Sequence, residues 1–174
     1  MITVRTAKTG ECDDVVAFYC ELIESMRGSE FKPEWEMGVY PTREFLQDAI
    51  DEQALYLAYL DDRLVGVMIL NNECAPGYDN VGWRIRAEKH EVVVIHALGV
   101  SSAFQRRGLA KEMVSYAIDL AGKGSAKAIR LDVLKNNIPA SRLYESMDFQ
   151  FIDSIKMYYE DTGLTDFLLY EFVL

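Results

Sequence analysis

Apolar residues recur along the chain with two periods, and the switches between them lay out its elements. A spacing of three and four residues marks one face of a helix, while β-branched runs and alternation mark strands. Residues 2–7 alternate weakly and predict a first strand. Val15, Phe18, Tyr19, Leu22, Ile23 and Met26 then share one helical face. Thr9 suits the cap of that helix, Glu11, Asp13 and Asp14 its first turns, and Gly28 its stop. Pro41-Thr42 starts a second helix, with Phe45, Leu46, Ala49 and Ile50 inward. Residues 54–60 and 64–70 read as strands joined by Asp61-Asp62-Arg63, a turn short enough for an antiparallel hairpin. Residues 71–90 keep no period and predict a long loop or strand extension.

The run VVVIHALGV at 92–100 is nearly continuous and β-branched, as in a strand covered on both faces. A polar turn through Gln105, Arg106, Arg107 and Gly108 follows, then a helix with Leu109, Met113, Tyr116, Ala117 and Leu120 on one face. Residues 127–134 form a further strand. After Lys135-Asn136-Asn137, Pro139 suits the first turn of a short helix whose inner face is Ala140, Leu143, Tyr144 and Met147. Asp148-Phe149 ends it, and strands at 150–159 and 166–173 close the chain around a loop at 161–163. The order β-α-α-β-β-β-α-β-α-β-β mixes hairpins with strand–helix–strand crossovers. It implies one mixed α/β (α+β) sheet with helices on both faces. No repeat, low-complexity stretch or linker interrupts it, so residues 1–174 are expected to form a single domain. The stretch 92–121 is its centre. A helix start leaves N–H groups without intrahelical partners, its dipole favours anions, and Gly108 lets the backbone come close, so this turn reads as a phosphate cradle.

Composition narrows the partners. Half of the residues are hydrophobic, which argues for a folded core. The net charge of −10 argues against nucleic acid and suits a cationic substrate. No run approaches the roughly 18 apolar residues of a membrane span. The start, MITVRTAKTGECDDV, lacks a signal-peptide core, so a cytoplasmic location without membrane attachment is expected. Cys12, Cys20 and Cys74 are odd in number, form no C-x-x-C pair and read as free thiols. No metal site is expected. The loop at 29–41 carries Phe31, Pro33, Trp35, Met37 and Tyr40, which leaves open a pocket wall or a loop folded over the core.

Two blocks carry a resemblance. The first is Gln105-Arg106-Arg107-Gly108-Leu109-Ala110, preceded by Ala97-Leu98-Gly99-Val100. The second is Leu131-Asp132-Val133, then Asn137, Pro139-Ala140, Leu143-Tyr144-Glu145 and Phe149. They resemble, respectively, the Q/R-x-x-G-x-G/A signature and the L-x-V, N-x-x-A-x-x-L-Y-E and G-F sequence of the GNAT superfamily of N-acetyltransferases. Asp148 stands where Gly is usual. The element order agrees over nearly the whole chain.

The resemblance implies a GNAT-like, mostly antiparallel twisted sheet of about seven strands, with a splayed parallel pair at the cofactor site. It implies acetyl-CoA as co-substrate and a primary amine of a small molecule or peptide as acceptor. Backbone N–H groups of Gln105, Arg106, Arg107, Gly108, Leu109 and Ala110 would hold the pyrophosphate, with the two arginines adding long-range attraction. Main-chain groups of Leu98, Gly99 and Val100 would pair with the pantetheine arm, and an N–H near Leu98 would face the thioester. Asn137 would bond the arm or cap its helix, with Ala140 beside it. Tyr144 stands at the position of the family's general acid, a core tyrosine being the alternative. His96, two residues before Leu98, is the candidate base; it shares strand parity with Leu98 unless a bulge intervenes. Glu91, His90 and solvent are fallbacks. Trp35, Tyr40, Tyr78 and Trp83 are expected to line the acceptor cleft, with ordinary burial as the alternative. The contrasting class is a non-catalytic acyl-CoA-binding sensor or regulatory module. The hairpin at 156–174 leaves open a homodimer.

Overall fold

The structure, a computed structural model, describes residues 2–174. Its elements follow the expected order: β1 (Thr3–Thr6), α1 (Cys12–Ser25), α2 (Arg43–Asp51), β2 (Leu55–Leu60), β3 (Arg63–Asn71), β4 (Val92–Val100), α3 (Leu109–Gly122), β5 (Ala128–Leu134), α4 (Ile138–Glu145), β6 (Gln150–Tyr159) and β7 (Gly163–Val173). The seven strands make one sheet in the order β1-β2-β3-β4-β5-β7-β6.

Local chemistry explains the joints. Asp61 and Asp62 both lie in the left-handed region, at φ 48° and 62°. Two such residues make the hairpin turn whose twist matches the strands it joins, and Leu60 pairs directly with Arg63. The crossover through α3 makes β4 and β5 the sheet's parallel neighbours. The crossover through α4 lands one strand further out, because β7 inserts between β5 and β6 and runs antiparallel to both. Strand β7 starts at Gly163, three residues before the alternation becomes visible in the sequence.

The two sheet faces have separate cores. Val15, Tyr19 and Leu22 of α1 and Leu46 of α2 cover Leu55, Leu57, Val67 and Ile69. On the other face Met113, Val114 and Ala117 of α3 cover Met68, Ile95, Ile129 and Leu131, with Tyr144 and Phe149 beside them. Burial of each such large side chain contributes roughly 1.5–3 kcal/mol. A smaller cluster, with Tyr78, Val92, Val94 and Leu169, lies under the irregular segment before β4.

Thr9 does not cap α1, which begins later, at Cys12. Glu11 occupies the cap position without a capping bond. Its carboxylate is drawn outward by the Arg5 guanidinium at 2.6 and 2.8 Å and by the Lys8 N–H at 2.6 Å. Thr42 does cap α2, accepting from the Phe45 N–H at 3.1 Å. Asp148 adopts φ 64°, the conformation that explains why glycine is usual there. The three cysteines are free thiols. Among the described residues no helix is long and apolar enough to cross a membrane.

Candidate active site

The site begins with a fault in β4. Val67 of β3 pairs with Gly99, yet Ile69 pairs with His96, so β4 carries one extra residue. Ala97 takes φ 50°, and its carbonyl accepts a hydrogen bond from the buried hydroxyl of Tyr19 on α1. This bulge reverses the alternation of side chains. Ile95, Leu98 and Val100 all pack with the α3 core, so His96 and Leu98 fall on opposite faces. The shared parity expected of them fails for that reason. Gly99 follows because α1 lies so close: a Cβ there would stand 2.7 Å from Cδ2 of Leu22.

Pairing of β4 with β5 runs from Val92↔Ala128 to Val94↔Arg130 and stops. Beyond it the strands part around a cavity of about 140 Å³. Ile95 to Leu98 form one side and Asp132 to Leu134 the other. Asn137, Ala140 and Tyr144 close it from α4, while Trp35 and Tyr40 come from the 29–41 loop and Tyr159 from the end of β6.

Tyr144 is 6 % exposed and stands edge-on to Phe149 with ring centres 5.4 Å apart. Its hydroxyl is not sealed in protein but opens on the cavity. Burial first, and Asp132 second, raise its pKa above the ordinary tyrosine value, so it is a neutral donor at pH 7. Asn137 lines the cavity and also caps α4, accepting from the Ala140 N–H at 3.4 Å. His96 lines the cavity as well, but its Nε2 donates to Asn71 Oδ1 at 2.9 Å. Burial lowers its pKa to about 4, which makes it a weak proton acceptor.

A groove adjoins the cavity, between the turn before α3 and the α4 helix. Arg106 and Gly108 take φ 63° and 82° there. From Arg106 to Lys111 no backbone N–H meets a backbone acceptor among the described residues; the ladder of α3 begins with Glu112 N–H to Gly108 O at 3.1 Å. Gln105, expected as the first donor, already gives its N–H to Ser102 O at 3.4 Å. A run of unaccepted donors at a helix start is an anion site. Arg106 lines the groove, whereas the Arg107 guanidinium lies over the Phe104 ring at 5.2 Å. Lys111 and Arg142 supply the remaining positive charge, one from each helix that borders the groove. Neither stands out in the sequence, because each reads as an ordinary exposed helix residue.

Of the four aromatic residues expected at the acceptor cleft, the fold brings Trp35 and Tyr40 to the cavity. Trp35 also packs edge-on against Tyr19 with centres 5.6 Å apart, so the 29–41 loop is both wall and cover. Tyr78 and Trp83 stand behind the wall. Tyr78 is 3 % exposed and donates its hydroxyl to Asp132 Oδ2 at 2.8 Å. Trp83 donates its Nε1–H to Tyr78 O at 3.0 Å and carries the Arg130 guanidinium 4.3 Å over its ring. Sequence reasoning missed Asp132. Its signal was a charge inside an otherwise apolar strand end, hidden as the variable position of L-x-V.

A splayed parallel pair, an amide-lined groove and a bulged central strand place the chain among the acetyltransferase folds. The crystal structure of a GNAT-family acetyltransferase from Streptococcus agalactiae matches 99 % of this chain and 95 % of its own, with a TM-score of 0.82 at 18 % identity. That of Arabidopsis thaliana NAA60 in complex with acetyl-CoA matches 100 % and 99 %, with a TM-score of 0.70 at 19 % identity. A model of the acetyltransferase (GNAT) family matches residues 20–149, and the chain belongs to that family. Streptothricin acetyltransferase from Escherichia coli is 28 % identical over 102 residues, which are 59 % of this chain and 50 % of the relative. The chain spans half or less of the length of the curated relatives it matches.

Proposed function

We propose that the chain transfers the acetyl group of acetyl-CoA to a primary amine, with Tyr144 as general acid. The carrying observation is the row of unaccepted N–H groups from Arg106 to Lys111, opening on a groove bordered by Arg106, Lys111 and Arg142. That donor set fits a pyrophosphate: several amides converge on a small volume and three cations surround it. The bound acetyl-CoA of the Arabidopsis relative supports the same ligand. When bound, acetyl-CoA supplies an acyl thioester, a carbonyl carbon open to attack by an amine.

The chain's residues do the rest. Past Val94 the inner edge of β4 has lost its strand partner, so the main chain at Leu98 and Val100 is available to an extended arm. An N–H at Leu98 would stabilise negative charge developing on the acyl oxygen. Tyr144 stands across the gap with a free neutral hydroxyl and gives its proton to sulfur as the C–S bond breaks. The burial that raises the phenol also raises the basicity of a thiolate formed beside it, so donor and acceptor stay comparable. His96 has its Nε2 engaged by Asn71 Oδ1 at 2.9 Å, so in this reading it braces the strand.

Incubation with acetyl-CoA and a panel of amines, following release of free thiol, tests the reading. Amine-dependent turnover is expected. Tight binding of CoA with no turnover on any amine would support a non-catalytic acyl-CoA sensor.

A further inference from the structure

Two charged residues of β5 meet opposite fates. Arg130 and Asp132, two positions apart, face the same side of the sheet. Arg130 is neutralised within the fold: its Nε donates to Glu171 Oε2 at 2.9 Å and its Nη2 to Ile85 O at 3.0 Å. Among the described residues no cation pairs with Asp132. The hydroxyls of Tyr78 and Tyr159 both donate to its Oδ2, at 2.8 and 3.1 Å. Among the described residues no donor reaches Oδ1, which opens on the cavity. A carboxylate so deeply placed, without a counter-charge, is costly. The two phenols fix which oxygen looks out.

The surroundings suit a cation. Rings of Trp35, Tyr40 and Tyr159 border the cavity, and π faces attract positive charge. Asp161 sits on the rim, and Glu36 shares the adjoining depression with it. The basic side chains nearby are already matched: Arg27 with Glu24 at 2.8 Å, Lys32 with Glu34 at 3.4 Å and Lys135 with Asp166 at 3.6 Å. Asp161 and Glu36 have no ion-pair partner among the described residues. Tyr40 and Tyr159 lie in the field of both Asp132 and Asp161, so floor and rim belong to one site.

We infer that the acceptor is a dication, with a primary alkylammonium seated on Oδ1 of Asp132 and a second cationic group held at the rim by Asp161 and Glu36. This rests on the acetyl-transfer reading above. A cavity of 140 Å³ holds about four or five waters' worth of volume, room for one aminoalkyl end, so the second charge falls outside it. In the reaction Asp132 takes one proton from the ammonium. The lone pair forms the C–N bond to the acetyl carbon, and the C–S bond breaks with its electron pair on sulfur. Tyr144 protonates the sulfur and is restored by a second proton from the nitrogen. The third hydrogen stays on the amide, and the proton on Asp132 leaves to solvent. One ammonium and one thioester thus give one amide, one thiol and one proton.

The test uses the full chain, acetyl-CoA and α,ω-diaminoalkanes of increasing length, each beside the n-alkylamine of the same carbon count. At least one diamine is expected to exceed its matched monoamine in kcat/KM by about tenfold or more, an advantage that shrinks as ionic strength rises. Asp161→Asn is expected to move the diamine-to-monoamine ratio toward one, mainly through KM. Calorimetric titration of the best diamine into the CoA-bound protein should show binding that Asp132→Asn abolishes, circular dichroism confirming that the variant is folded. If that variant does not fold, the wild-type ratio and its loss in Asp161→Asn decide alone. Equal kcat/KM for every matched pair would overturn the inference while leaving acetyl transfer intact. Tight CoA binding with no turnover on any amine would overturn the acetyl-transfer reading first.

Discussion

The groove at the start of α3 and the cavity between β4 and β5 adjoin one another and are built on opposite plans. The groove is made of consecutive residues, and its donors are backbone amides whose direction follows from φ at Arg106 and Gly108. The cavity is made of side chains from four strands, one helix and two loops. The first needs one permissive turn; the second needs the whole sheet to be right. A turn tolerates change in most of its side chains, whereas a cavity wall changes its chemistry with any of them. Under the proposed acetyl transfer, recognition of the donor would be local and general, and recognition of the acceptor global and particular to this chain.

Variants that act on one half alone separate the two. The largest effect is expected from Tyr144→Phe, which should lower kcat at least about tenfold while the Kd for acetyl-CoA, measured by calorimetry, moves less than about twofold. Equal loss in both quantities would merge the two halves. Gly108→Val acts from the other side: a β-branched residue at φ 82° costs about 1–2 kcal/mol, and acetyl-CoA binding should weaken about tenfold.

The pH profile sharpens the acceptor half. A base must be ionised to act, so kcat/KM should rise with pH through the pKa of the group responsible. Burial raises Asp132 above the ordinary aspartate value of 3.8, so the rising limb should lie above that pH. The limb should keep its position in His96→Ala and be lost in Asp132→Asn; the reverse would return the role to the imidazole.

Smaller effects belong to the scaffold away from the cavity. The Arg5 guanidinium beside Glu11 lowers that carboxyl from 4.5 to about 2, and the Lys8 N–H adds to it. A depressed value stabilises the fold above the unfolded pKa and is lost as pH falls from 4.5 toward 2. The pair is partly exposed, at 34 % and 22 %, so Glu11→Gln should cost only about 1 kcal/mol at pH 7, in denaturant unfolding, with most of the difference lost by pH 2. Asp148→Gly relieves φ 64° at the end of α4 and should stabilise by about 0.5–1 kcal/mol, read in the same way.

The element order, the two-faced sheet and the permissive turn before α3 are legible in the sequence, because each rests on short-range regularities. Apolar period separates helix from strand, Asp61-Asp62 and Pro139 punctuate, and Gly108 permits a turn whose amides need no particular neighbour. It also singled out Tyr144, since a helix face and a motif position together place one side chain. What surrounds that tyrosine follows from long-range packing. The bulge at Ala97 depends on a hydroxyl from α1, far away in the chain, and it alone separates His96 from Leu98. Tyr78 became a brace and Asp132 an open carboxylate because an irregular segment folds back on β5. Arg107 yielded its place to Lys111 and Arg142 because two helices converge beside the turn. Contacts between distant residues carry no period, so no reading along the chain could have found them.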